Sequence, residues 1–217
     1  MKRQGIIFDM DNTLLQSSID FPKMKRTVYE LLVEFELCEP TLDWQGKTAS
    51  QLIELGRQSG RLTPSMEQRI WDEVAQIEKE GMHGAKLENN VVEVLTQLKN
   101  NHSLVILTNN ASIAAEEALR ETGIVYLFDA IYAREHMTAL KPSPSGILSI
   151  LGNYPNLGPD DWIMIGDSWI DGKAAQDARV DFIAYRGKPD EMERHHVSPI
   201  AWVQDCRDLL ALPYFVS

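Results

Sequence analysis

Along the chain, short unbroken apolar runs alternate with longer stretches in which apolar positions recur every three or four residues. Gly5 to Phe8, Ser103 to Leu107, Phe128 to Ala133 and Trp162 to Ile165 are runs of the first kind, and each ends at polar or acidic residues. Near-continuous runs of this length suit strands covered on both faces. Phe182 to Tyr185 predicts a further strand. Between the runs, Glu88 to Lys99 sets Val91, Val92, Leu95 and Leu98 on one helical face. Ser112 to Thr122 is closed by Gly123, and Pro144 to Leu151 by Gly152, as helix ends commonly are. Strands alternating with helices predict an α/β fold, a Rossmann-like parallel sheet flanked by helices.

From Ser17 to Gly84 this rhythm breaks. No strand pattern occurs, and three helical patterns follow one another at about Lys23 to Leu37, Ala49 to Gln58 and Pro64 to Glu80. The last has Thr63 placed to cap it, Pro64 in its first turn and Gly81 beyond its end. The expected organisation is an α/β core from residues 1–16 and 85–217, with residues 17–84 inserted as a small α-helical cap domain.

Composition changes this picture little. At 217 residues, 44% hydrophobic and 24% charged, the chain has ordinary globular content and enough length to bury a site. A net charge of −11 argues against a nucleic-acid partner, which requires clustered Lys and Arg. Cys38 and Cys206 have no metal-binding or disulfide-framework spacing. The apolar run Gly5 to Phe8 is too short for a signal peptide, and no run reaches membrane-spanning length. A cytoplasmic enzyme with no membrane partner is the expectation.

In an open parallel sheet, ligands gather beyond the carboxyl ends of the strands. Asp9, Asp11, Thr108, Asp167 and Asp171, with Lys141 from the loop after the third long run, would meet there although they span most of the sequence. Carboxylates so crowded repel one another unless a cation neutralises them, and an all-Asp set without His or Cys prefers Mg²⁺.

Asp9-Met10-Asp11-Asn12-Thr13, Thr108-Asn109, Lys141-Pro142 and Gly166-Asp167-Ser168-Trp169-Ile170-Asp171 together resemble, in order and in strand-end placement, the four signature motifs of the haloacid-dehalogenase-like superfamily. The helical insert after the first motif is similar to that of the phosphoglycolate phosphatase and β-phosphoglucomutase branch. The resemblance implies a Mg²⁺-dependent phosphatase that acts on a small phosphorylated metabolite through an aspartyl-phosphate. Asp9 would be the nucleophile and Asp11 the general acid and base. Thr108, Asn109 and Lys141 would hold the phosphoryl group. Asp9, the Asp11 backbone carbonyl, Asp167 and Asp171 would hold the metal, Asp171 directly or through water. Gly46-Lys47-Thr48 resembles the substrate-specificity loop of the branch, so Gly46 and Lys47 are candidate substrate contacts. Trp44 and Trp169 are candidate crevice residues, and Phe21 and Met24 could seal the site or form the cap core.

Gln16 stands where many relatives carry an acidic residue, and Asn110 where Lys or Gly is frequent. Both departures weaken any assignment of one substrate. A phosphomutase would use the same motifs, returning the phosphoryl group to a sugar. A phospho-acceptor signalling module shares Asp, Thr and Lys on an open sheet, but has no use for Asp11, a second acidic pair or a long cap.

Overall fold

The computed structural model describes residues 4–215, which form two compact units, one running to Ser17 and resuming at Gly84, the other spanning Ser18–His83. In the first, six strands make one parallel sheet: β1 (Gly5–Phe8), β4 (Ser103–Leu107), β5 (Ala130–Tyr132), β6 (Trp162–Gly166), β7 (Asp181–Tyr185) and β8 (Ala201–Val203). Their spatial order is β5-β4-β1-β6-β7-β8. The intervening helices are α4 (Val91–Lys99), α5 (Ser112–Glu121), α6 (Ser145–Asn153), α7 (Trp169–Asp177), α8 (Pro189–Arg194) and α9 (Cys206–Leu209). A separate two-stranded ribbon, β2 (Leu15–Gln16) with β3 (Lys86–Leu87), is antiparallel.

Both faces of the central strands are buried, which explains why their sequences lack alternation. Ile7, Val105, Met164 and Phe182 pack with Ile147, Ile150, Ala174 and Ala175 in one cluster, while Ile6, Leu104, Ile106, Ile163 and Ile183 are also fully buried. Close helix–sheet approach depends on Gly172, where a Cβ would lie 2.3 Å from Val197 Cγ1 and 2.7 Å from the Phe182 ring. Gly172→Ala is expected to destabilise the chain by about 1–3 kcal/mol, the usual cost of overpacking. A chemical-denaturation midpoint equal to that of the wild type would count against this packing argument.

The structure departs from the sequence reading at element ends. Helix α4 begins at Val91 rather than Glu88, because Asn90 takes a left-handed φ of 65° and Glu88 is drawn into the interior. There Glu88 Oε2 accepts hydrogen bonds from the Tyr185 hydroxyl (3.2 Å) and Arg186 (2.7 Å). Phe128 and Ala133 fall outside β5; a 3-10 turn at Val125–Leu127 precedes Phe128, whose ring meets Phe8 edge-on. The edge strand β8 and the ribbon strands were not anticipated, being three and two residues long, too short for a periodic signal.

The second unit holds α1 (Phe21–Glu34), α2 (Ala49–Gln58) and α3 (Pro64–Met82). Each starts at a side-chain cap: Asp20 accepts from Lys23 N–H, Thr48 from Gln51 N–H and Thr63 from Met66 N–H. Val28, Leu32, Leu52, Ile53, Ile70 and Val74 are buried at 2% exposure or less. Met24 is buried, whereas Phe21 is 45% exposed. Trp44 stacks on Tyr29 with ring centres 5.2 Å apart, so it has a packing role in this unit. The turn after it closes through Lys47 N–H to the Trp44 carbonyl (3.0 Å) and is tied to α1 by Lys25 Nζ on the Gln45 carbonyl (2.6 Å). Gly46 and Lys47 sit in this turn.

Candidate active site

Strand register brings the motif residues to one level. Phe8 pairs with Ile106 on one side and Ile165 on the other, so Asp9, Thr108 and Asp167 all emerge just past the same edge of the sheet. The Asp9 N–H still donates to the Ile165 carbonyl, and the Thr108 N–H to that of Tyr132, which keeps both in line with their strands. After Asp9 the chain turns sharply: Asn12 adopts φ 57°, a conformation Asn tolerates well, and its N–H donates to the Leu15 carbonyl.

At the centre lies Lys141, 1% exposed. Its Nζ is 2.6 Å from Asp9 Oδ1, 2.6 Å from Asp171 Oδ1 and 2.9 Å from the Leu107 carbonyl. Burial alone would favour neutral lysine, but the carboxylates of Asp171 and Asp9 overcome it and hold the ammonium more firmly protonated than usual. Asn109 braces this lysine through its backbone, accepting from Lys141 N–H at Oδ1 (2.9 Å) and donating from Nδ2 to its carbonyl (3.1 Å). Both ends of the Asn109 side-chain amide thus hold the Lys141 backbone.

Asp171 lies one turn into α7, where Ser168 caps the helix and Asp171 Oδ2 accepts from Ser168 N–H (3.1 Å). Gly166 makes room for it, since a Cβ there would sit 2.6 Å from the Asp171 carboxyl. Trp169 stacks on His195 with centroids 3.6 Å apart, which gives it a packing role as well.

Asp9, Asp167 and Asp171 offer oxygen atoms within 4.8 Å of one another. Burial, with the neighbouring Asp9 charge, pushes the Asp167 carboxyl above its ordinary range. Burial likewise raises Asp171, although Lys141 opposes it. Asp11, 9% exposed, is pushed up to about 6 by burial and by Asp9, with the Ser17 and Asn110 side chains working against the rise. A cluster so reluctant to ionise needs more positive charge than Lys141 alone supplies. Its all-oxygen donor set fits a hard divalent cation.

Two residues with no role in the sequence reading also touch this centre. Thr13 Oγ1 donates to Asp9 Oδ2 (3.3 Å), and Asn110 Nδ2 donates to Asp11 Oδ2 (2.7 Å). Thr13 could have been found from its place four residues after Asp9. Asn110 is 99 residues from Asp11, and only the sheet brings them together.

An open parallel sheet that gathers carboxylates and one buried lysine beyond its carboxyl edge sets a charged site where such sheets bind their ligands. Residues 6–185 match the family model of the haloacid dehalogenase-like hydrolases, and the chain belongs to that family. The chain is 28% identical over 183 residues to a phosphoglycolate phosphatase of Haemophilus influenzae, covering 79% of this chain and 80% of the relative. A phosphoglycolate phosphatase of Pasteurella multocida is also 28% identical, with 79% and 80% covered. Among solved structures, a haloacid dehalogenase-like family hydrolase from Streptococcus pneumoniae matches with TM-score 0.67 at 20% identity over 96% of this chain and 97% of its own. A HAD-hydrolase from Bacillus subtilis, crystallised bound to magnesium, matches with TM-score 0.61 at 21% identity over 97% and 98%. Among the described residues, no helix is long and apolar enough to cross a membrane.

Proposed function

We propose that the chain is a Mg²⁺-dependent phosphatase that removes a phosphoryl group from a small phosphorylated metabolite through an aspartyl-phosphate on Asp9. The observation that carries this reading is the buried Lys141 ammonium, 2.6 Å from Asp9 Oδ1 and 2.6 Å from Asp171 Oδ1. It holds the attacking carboxylate in place and keeps a fixed positive charge where negative charge builds up during phosphoryl transfer.

In this mechanism an Asp9 oxygen attacks phosphorus as the ester oxygen leaves, and Asp11 protonates that oxygen. Asp11 then takes a proton from the water that attacks the aspartyl-phosphate, which frees phosphate and restores Asp9. With a carboxyl near 6, Asp11 can hold a proton for the first step and lose it for the second close to neutral pH. Thr108 and Asn109 bind the phosphoryl group, and Asn109 also fixes Lys141. Asp9, Asp167, Asp171 and the Asp11 backbone carbonyl would hold Mg²⁺, which neutralises the phosphate and the crowded carboxylates. Residues 17–84 act as the cap of this reading, with Gly46 and Lys47 contacting the non-reacting end of the substrate. A cytoplasmic enzyme without nucleic-acid or membrane partners completes the proposal.

The test is a panel of phosphomonoesters, with 2-phosphoglycolate included because of the curated relatives, scored for inorganic phosphate. Activity is expected with Mg²⁺, to vanish in chelator and to return when Mg²⁺ is restored. Ca²⁺ should inhibit, because its longer bonds and looser coordination misplace Asp9 for in-line attack. Full turnover in chelator would remove the metal from the proposal, and a rearranged sugar phosphate in place of free phosphate would make the enzyme a mutase.

A further inference from the structure

We infer that Asn110 is a positioning residue that fixes the orientation of the Asp11 carboxyl group. This inference rests on the reading of Asp11 as general acid and base. Asn110 and Asp11 are buried, at 4% and 9% exposure, and Asn110 Nδ2 lies 2.7 Å from Asp11 Oδ2. The other oxygen, Oδ1, is buried with no partner within hydrogen-bond distance, and the Ser17 side chain also acts on this carboxyl group. A carboxylate oxygen only accepts, so the amide must turn its nitrogen towards it.

That assignment has a chemical result. The hydrogen bond fixes which way the plane of the Asp11 carboxyl group faces, so both of its oxygens keep set positions. The group is thus oriented before the leaving oxygen or the attacking water arrives, which is what a positioned acid and base requires.

Asn110 is itself held by the strand ends. Its N–H donates to Thr108 Oγ1 (3.1 Å), and its carbonyl accepts from the Arg134 N–H (3.0 Å). The loop after β4 thus steadies the reacting centre from two consecutive positions, Asn109 through the Lys141 backbone and Asn110 through the Asp11 side chain.

The test uses the Mg²⁺-loaded full chain and 4-nitrophenyl phosphate, whose good leaving group needs little protonation. In Asn110→Ala, the pre-steady-state release of nitrophenolate should stay within about threefold of wild type. Steady-state turnover should fall about 10- to 100-fold, the scale on which misplacement of a catalytic group acts, and phosphoenzyme should accumulate. Asn110→Asp, of equal size but with an acceptor in place of the donor, should show the same split and guards against a folding failure in the alanine variant. An equal loss in both phases, or wild-type rates in both variants, would overturn the role of Asn110. Asp11→Asn run in parallel separates the two claims: if it shows no split, the acid–base reading of Asp11 fails. If it shows the split and the Asn110 variants do not, only the inference about Asn110 fails.

Discussion

Asp9→Asn is expected to carry no phosphoryl group after a rapid acid quench, while Asp11→Asn accumulates one. The two aspartates stand two positions apart, yet their surroundings separate them. Asp9 is aligned by Lys141 (2.6 Å) and Thr13 (3.3 Å), as suits an attacking group. Asp11 is buried, raised to about 6 and bonded to Asn110. Removing the nucleophile ends covalent chemistry altogether. Removing the acid–base group should cost on the order of 10²–10⁴-fold with a poor leaving group. With a nitrophenolate leaving group, phosphorylation of Asp9 partly recovers while hydrolysis stays slow. Mass spectrometry of the quenched variants decides the matter, and equal labelling of both, or label away from Asp9, would reverse the assignment of roles.

Lys141→Met should destabilise the folded state as well as slow the reaction. The ammonium neutralises two buried carboxylates, and removing one side of such a cluster commonly costs about 3–5 kcal/mol. Loss of the fixed charge beside the phosphoryl group should lower kcat by at least about 10²-fold. The stability loss should depend on pH. Asp171, already above its ordinary value with Lys141 opposing the rise, must move further up when that opposition is gone. A carboxyl that titrates higher in the folded chain than in the unfolded one binds more protons when folded across the interval between the two values. Stability therefore falls as pH rises through that interval. The Tm deficit of Lys141→Met in metal-free buffer should accordingly be larger at pH 8 than at pH 5, and Mg²⁺ should recover part of it at pH 8. An identical deficit at both pH values would show that Lys141 acts through packing alone.

What could be read from the sequence was whatever leaves a local mark. The buried strands announce themselves because both faces are covered, and helices α2 and α3 because Thr48, Thr63 and Pro64 mark their starts. Asp9, Lys141, Asp167 and Asp171 were legible as a group because each lies in the segment that follows an apolar run. Their order also matches a known pattern. The supporting contacts left no such trace. Asn109 meets Lys141 across 32 residues, Asn110 meets Asp11 across 99, and Glu88 meets Arg186 across 98. Each of these side chains reads locally as an ordinary loop or helix-start polar residue. Only the strand order, which sets β4 and β6 on either side of β1, reveals what it faces.

The ribbon of Leu15–Gln16 with Lys86–Leu87 has a consequence for how such a chain can vary. Leu15 pairs with Leu87 and Gln16 with Lys86, so the chain leaves the sheet-bearing unit and re-enters it at points only about 5 Å apart, the spacing of paired antiparallel residues. Anything spliced between those points, whether sixty residues or six, meets the same doorway and leaves every strand in register. The ribbon is thus a socket. Heredity can exchange, lengthen or trim what is plugged into it while the inherited reaction chemistry stays in place, and a laboratory graft between relatives has its cut sites marked at the same two strands.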